Sequence, residues 1–141
     1  MKISLLICSL IMFTEYSSAQ EIKSAIITDF GLFNPADPDQ LIKQTDTIPM
    51  LLGNSFGFHF KVIAAPDNKS IPLTMKISIT DTQGNVHDIQ YIMNYLPHDF
   101  STGRHSFVFE AQEELIAGAW EFLIEFKGET VLKKRLIVVE M

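Results

Sequence analysis

From residue 71 to residue 80 the chain alternates without a break. Ile71, Leu73, Met75, Ile77 and Ile79 are apolar, while Pro72, Thr74, Lys76, Ser78 and Thr80 between them are not. Successive side chains of an extended strand point to opposite faces, so this period of two predicts a half-buried strand with a wet outer face. Phe56, Phe58, Phe60 and Val62 set against Gly57, His59 and Lys61 repeat the pattern and place His59 outward. Trp120, Phe122, Ile124 and Phe126 against Glu121, Leu123, Glu125 and Lys127 give it a third time. Weaker versions run over residues 25–33, over 86–95 with Ile89, Tyr91, Met93 and Tyr95 on one face, over 104–110 with Phe107 and Phe109 together, and over 130–140 with Leu132, Leu136 and Val138 inward. The total is about seven strands.

Turn chemistry falls between these runs. Asp81-Thr82-Gln83-Gly84-Asn85 and Lys127-Gly128-Glu129 predict hairpins, each with a glycine able to take positive φ, and Pro66-Asp67-Asn68 predicts a further turn. Residues 111–117 look like one helical turn before Gly118, where the chain reverses. Two stretches exceed a turn: 34–47, polar with Pro35, Asp37, Pro38 and Asp39, and 96–103, with Pro97, His98, Asp99 and Phe100. Short strands, regular turns and no helical period predict an all-β, immunoglobulin-like antiparallel sandwich.

The first residues do not fit that plan. Lys2 precedes an apolar stretch from Ile3 to Phe13, and Ser17-Ser18-Ala19 then offers small residues at the −3 and −1 positions. This is the pattern of a signal peptide over 1–19, cleaved before Gln20, with one sandwich domain over 20–141. The apolar stretch is well short of the roughly 20 residues a membrane-crossing helix needs, so no transmembrane span is expected. Export to the periplasm or beyond follows. Cys8 is the one cysteine and lies inside the leader, with Ile7 before it where a lipoprotein signal has a small residue. The processed chain would lack a thiol, which removes disulfides, thiolate metal sites and cysteine nucleophiles together.

Composition changes this picture little. A hydrophobic fraction of 47% with eleven Phe supplies a core, and the net charge of −6 argues against nucleic acid and anionic lipid as partners. The one basic cluster, Lys133-Lys134-Arg135, alternates between faces and is expected to be a solvated edge.

Two stretches carry a resemblance. One is Ile48-Pro49-Met50-Leu51-Leu52-Gly53-Asn54-Ser55-Phe56-Gly57-Phe58; the other is Glu114-Leu115-Ile116-Ala117-Gly118-Ala119-Trp120-Glu121-Phe122. With an early strand ending in Asp29-Phe30-Gly31-Leu32-Phe33, they resemble a bacterial family of small exported β-sandwich domains of unknown function, over nearly the whole processed chain. The resemblance implies fold and export and transfers no active site. Read physically, Gly53 and Gly57 are backbone positions at a bulge or a close approach between sheets. Gly118 takes a left-handed corner, and Phe56, Phe58 and Trp120 belong to the core.

Candidate chemistry is thin. His87, His98, Asp99 and His105 could meet at one end of the sandwich as metal ligands, but nothing like H-E-x-x-H accompanies them, and the four histidines are expected at the surface. Asp37, Asp39 and Asp46, or Asp81 with Gly84 and Asn85, could offer oxygens to calcium without matching an EF-hand loop. No G-x-S-x-G elbow is present, and Glu110, Glu113 and Glu114 are expected to face solvent at a corner. Asp29 is a partly buried acid with its hydrogen bonds satisfied. Asn68-Lys69-Ser70 matches a glycosylation sequon, idle in a bacterium. No cofactor and no catalytic residue is expected. The leading reading is a protein-interaction module using a sheet edge or the long loops, for an unknown protein partner. The alternatives are a carrier of a small apolar ligand or lipid, motivated by the Phe excess, and a metal-dependent hydrolase.

Overall fold

A computed structural model of the chain describes residues 20–66, 69–97 and 102–141. The expected leader, the turn residues Asp67 and Asn68, and His98, Asp99 and Phe100 of the second long stretch lie outside the described residues. Among those described, nine strands follow in order: β1 (Glu21–Asn34), β2 (Asp37–Lys43), β3 (Thr47–Pro49), β4 (Ser55–Ala65), β5 (Ile71–Asp81), β6 (Val86–Tyr95), β7 (Gly103–Val108), β8 (Gly118–Phe126) and β9 (Glu129–Val139). A single 3-10 turn, Gln112–Glu114, precedes β8. The strands form a four-stranded sheet, β2-β1-β4-β7, and a five-stranded sheet, β3-β9-β8-β5-β6.

The core lies where the alternating runs meet. Phe56, Phe58, Phe60 and Val62 of β4 face Leu73, Met75 and Ile77 of β5, with Trp120, Phe122 and Ile124 of β8, and all are buried. Each such side chain contributes about 1.5–3 kcal/mol relative to exposure. Phe56 is the hub: its ring centroid lies 4.9 Å from Phe109, 5.1 Å from Trp120 and 5.8 Å from Phe122, in tilted and edge-on arrangements that suit ring quadrupoles. Both hairpins form as expected. Asp81 Oδ1 accepts from the Gln83 and Asn85 amides, each at 2.9 Å. Lys127 and Gly128 both take positive φ, as a two-residue primed turn requires.

Three expectations are corrected. There are nine strands among the described residues, not about seven, because the stretch read as a loop over 34–47 contains β2 and leads into β3. β2 pairs with β1 in an irregular register and buries almost nothing, so it has no alternating pattern to read. The sandwich is not wholly antiparallel, since β3 runs parallel to β9. The segment 133–135 does keep an open, solvated side as expected, since β3 meets β9 only from Ile137 to Val139. Lys133 and Arg135 are exposed, Lys133 lies 3.2 Å from Glu121, and Lys134 lies 2.8 Å from Asp46 and over the Phe30 ring at 3.7 Å. Finally, His59 and His105 are buried. β4 is central in its sheet and covered on both faces, because Pro38 of β2 and Phe33 of β1 pack over its outward side against His59.

Gly57 and Gly118 make close approaches of one kind. Each has positive φ, +148° and +141°, and a Cβ would come within 2.1 Å of a carbonyl oxygen on the neighbouring strand, His105 O and Thr80 O respectively. The crowding at Gly57 is therefore within the sheet, between β4 and β7, and not between sheets. Gly53, at φ +91°, occupies an open turn with nothing near its missing side chain.

Candidate binding edge

Among the described residues four strands end the two sheets, and three of these are blunted. β1 from Glu21 to Gly31 and β9 from Glu129 to Arg135 also lack a partner on one side. There, however, β1 is interrupted by two register shifts and carries Lys23, and β9 carries Lys133 and Arg135. β2 is irregular and carries Pro38 and two aspartates; β3 has three residues and ends at Pro49; β7 has six and carries Arg104. Charges, prolines and shortness are the usual devices that keep an edge from pairing with another chain. β6 is neither short nor broken by proline, and carries one charge, Asp88. Its ten residues pair with β5 in an unbroken register, from Val86↔Thr80 to Tyr95↔Ile71. They include no proline, lysine or arginine, and no strand among the described residues pairs with the other side.

The apolar residues of β6 are left partly in water. Register with Thr80 and Thr74 puts Val86 and Ile92 on the outer face, where both are 60% exposed. Tyr91 faces inward but keeps 44% exposure. Ile89 and Met93 are half-buried against the core. Tyr95, at the end, is buried and its hydroxyl accepts the Val62 amide at 3.2 Å, covering the part of β4 that extends past β7.

β6 also borders three surface hollows. One of about 270 Å³ lies on the outer face, between Asp88 and Gln90 of β6, Lys76 of β5 and Glu125 of β8. A second, of about 370 Å³, lies by Met93 and Asn94 and reaches His59, Asp39 and Arg104. The third, of about 240 Å³, opens at the other end of β6 and is mostly apolar, with Ile89, Phe107, Ile116 and Trp120 in its walls. Between the last two, Tyr91 meets His105 edge-on at 6.2 Å. None of these three is lined by Phe56 or Phe58. The phenylalanines that motivated a ligand chamber pack against one another, which leaves the apolar-carrier reading without a supporting observation.

The residues proposed for metal chemistry are spread apart by role. His87 Nε2 lies 3.2 Å from Asp81 Oδ2 in the turn that opens β6. The carboxyl of Asp81 is held below its ordinary value, chiefly by the Asn85 amide and next by His87. His105 is buried between the sheets, its Nε2 donating to Lys76 O at 2.8 Å and its Nδ1 without a hydrogen-bond partner. His98 and Asp99 lie outside the described residues. Among the described residues no three His, Cys, Asp or Glu side chains are grouped to hold a metal ion. Asp39 and Asp46, considered for calcium, face Arg104 at 3.5 Å and Lys134 at 2.8 Å. Glu114 Oε1 accepts the amides of Glu110 and Ala111 at 2.8 and 2.9 Å, fastening the corner before β8. Asp29 Oδ1 stands 2.6 Å from His59 Nδ1, a close contact with no hydrogen bond aligned on that oxygen, while Nε2 donates to Pro38 O at 3.1 Å.

Burial has a consequence at His105. Desolvation lowers its pKa to about 4 from 6.5, and the Lys76 and Leu123 backbone groups offset only part of this. The unfolded chain takes up a proton below about 6.5 while the folded one refuses it until about 4. The stability is thus whole above that window and falls as pH drops through it. The expected loss between pH 7 and pH 5 is about 2 kcal/mol. Denaturant melts of wild type and His105→Leu across that range check it; the variant should show a flatter acid limb.

Among the described residues no helix is long and apolar enough to cross a membrane. The model of a family described as Domain of unknown function (DUF3859) matches residues 17–138. Among solved structures, an immunoglobulin-like protein from Pseudomonas aeruginosa is similar, at 20% identity and a TM-score of 0.65, over 88% of this chain and 99% of that one. A Pseudomonas fluorescens alkylpurine DNA glycosylase, solved bound to DNA containing an abasic site analog, matches with 11% identity and a TM-score of 0.51. That match covers 89% of this chain and 32% of the glycosylase. At these identities both show the fold alone. No protein of curated function matches the chain.

Proposed function

The chain belongs to that family of domains of unknown function, and we propose that it is an exported, non-catalytic protein-interaction module whose contact surface is the free edge of β6. The observation that carries the reading is the contrast among edges. Three are protected by proline, charge or shortness, and the fourth is long, regular and lined with exposed Val86, Tyr91 and Ile92. A partner segment laid along β6 would pair its backbone with the open side of the strand, at about 0.5–1.5 kcal/mol net per hydrogen bond. Export is supported by the leader pattern of residues 1–19, which places the module in the periplasm or outside the cell.

The test uses lysines, the residues that protect natural edges. Val86→Lys combined with Ile92→Lys changes two exposed outward positions and is expected to leave the melting temperature within a few degrees of wild type. In affinity capture from the exporting organism with the full-length gene product, wild type should retain a partner that the double variant loses, and the N-terminus of the recovered protein should be Gln20. Equal retention by both proteins, or no partner above background, would count against the reading.

A further inference from the structure

The free edge alone does not explain tight binding. Five new backbone bonds at about 1 kcal/mol each barely offset an association cost of about 4–15 kcal/mol. A strand added to β6 has one further resource. Its inward side chains would stand on the same side as His87, Ile89 and Tyr91, facing the seam where β6 of one sheet meets β7 of the other. At the Val86 end that seam opens into the 240 Å³ hollow, walled by Ile89, Phe107, Ile116 and the buried Trp120. Toward the middle of β6, Tyr91 and His105 narrow it. A hollow of this size accepts one large apolar side chain, whose burial contributes about 1.5–3 kcal/mol.

The charge around the opening is of one sign. Glu113 and Glu114 line it, and Asp81 pairs with His87 at its margin; no lysine or arginine lines it. Glu114 is committed to the corner amides, which leaves exposed Glu113 free to meet a ligand. A second copy of this chain, net charge −6, would bring no basic residue of its own β6 to meet Glu113. Resting on the edge reading above, we infer that the partner of β6 is an extended segment that places one large apolar side chain in the seam beside Trp120, with a basic residue flanking it to face Glu113.

A displayed library of random twelve-residue peptides, selected on protein purified from cells expressing the full chain, tests this. The expected winners carry an aromatic or large aliphatic residue with Lys or Arg within two positions. Serine in place of the apolar residue should weaken binding at least about tenfold. Glu113→Lys, an exposed substitution, should weaken the basic peptides about tenfold at low salt and improve versions with Glu in place of the basic residue. If selected peptides are lost with Val86→Lys/Ile92→Lys yet show no apolar or basic preference and ignore Glu113→Lys, this inference fails and the edge reading stands. If binders are indifferent to the edge variant, or none emerge, both fail. Sedimentation showing a dimer that the edge variant dissociates would assign β6 to a second copy and overturn the partner inferred here.

Discussion

Trp120→Ala is expected to lower stability by about 3–5 kcal/mol. The indole is 1% exposed and meets two aromatic rings of the opposite sheet, Phe56 at 5.1 Å and Phe107 at 5.2 Å, and Phe109 just past β7 at 5.5 Å. Its Nε1 donates to Ile116 O at 2.9 Å, tying β8 to the corner that precedes it. Truncation removes the transfer energy of a large side chain, leaves a cavity that the rigid sheets cannot close, and orphans the Ile116 carbonyl. Because a domain of this size has a margin of about 5–15 kcal/mol, the variant should melt far lower or fail to accumulate. Trp120→Phe, which keeps most of the volume, should recover more than half of the loss in chemical denaturation.

Gly57→Ala is expected to cost about 4 kcal/mol, although it adds one methyl. At φ +148° the backbone is in a region that side chains rarely adopt, worth about 1–3 kcal/mol of strain. The new Cβ would also lie 2.1 Å from His105 O and 2.6 Å from Ser106 Cα, both backbone atoms. β4 and β7 must separate there, weakening their ladder at about 1 kcal/mol per bond. Gly84→Ala is the control: φ is +87°, but nothing lies within 4 Å of its Cβ, so only the conformational part, about 1 kcal/mol, should appear. Urea melts of the two variants should differ by about fourfold in lost stability; equal losses would mean that the strand contact at Gly57 is not tight.

Alternation made β4, β5 and β8 legible, because each has one face in the core and side-chain burial leaves a period of two in the sequence. β2 and β3 left no such trace. They are held by backbone pairing at sheet margins, where any residue that can extend will do, and prolines there look like loop. The same limit explains His59. Its outward placement on β4 was right as geometry, but a strand pattern does not say what crosses over that face, and here Pro38 and Phe33 do. His105 is detectable, since it shares parity with Phe107 and Phe109, which the alternation groups on one face. The corner was readable through Gly118 and Trp120, although the crowding at both glycines proved to come from neighbouring strands. For β6 the sequence offered Val86 and Ile92 at positions its own alternation marks as outward. Their meaning emerged only with the strand order, which places β6 at an edge.

Hydrogen exchange on the uncomplexed protein reads that edge most directly. With one side of β6 hydrogen-bonded to β5 and the other open, every second amide from Val86 to Tyr95 should exchange at least about a hundredfold faster than its neighbours. The same experiment on β5, which is paired on both sides, should show protection at successive residues. Uniform slow exchange along β6 would mean that something already covers the edge, and the proposed contact surface would not exist in the free protein.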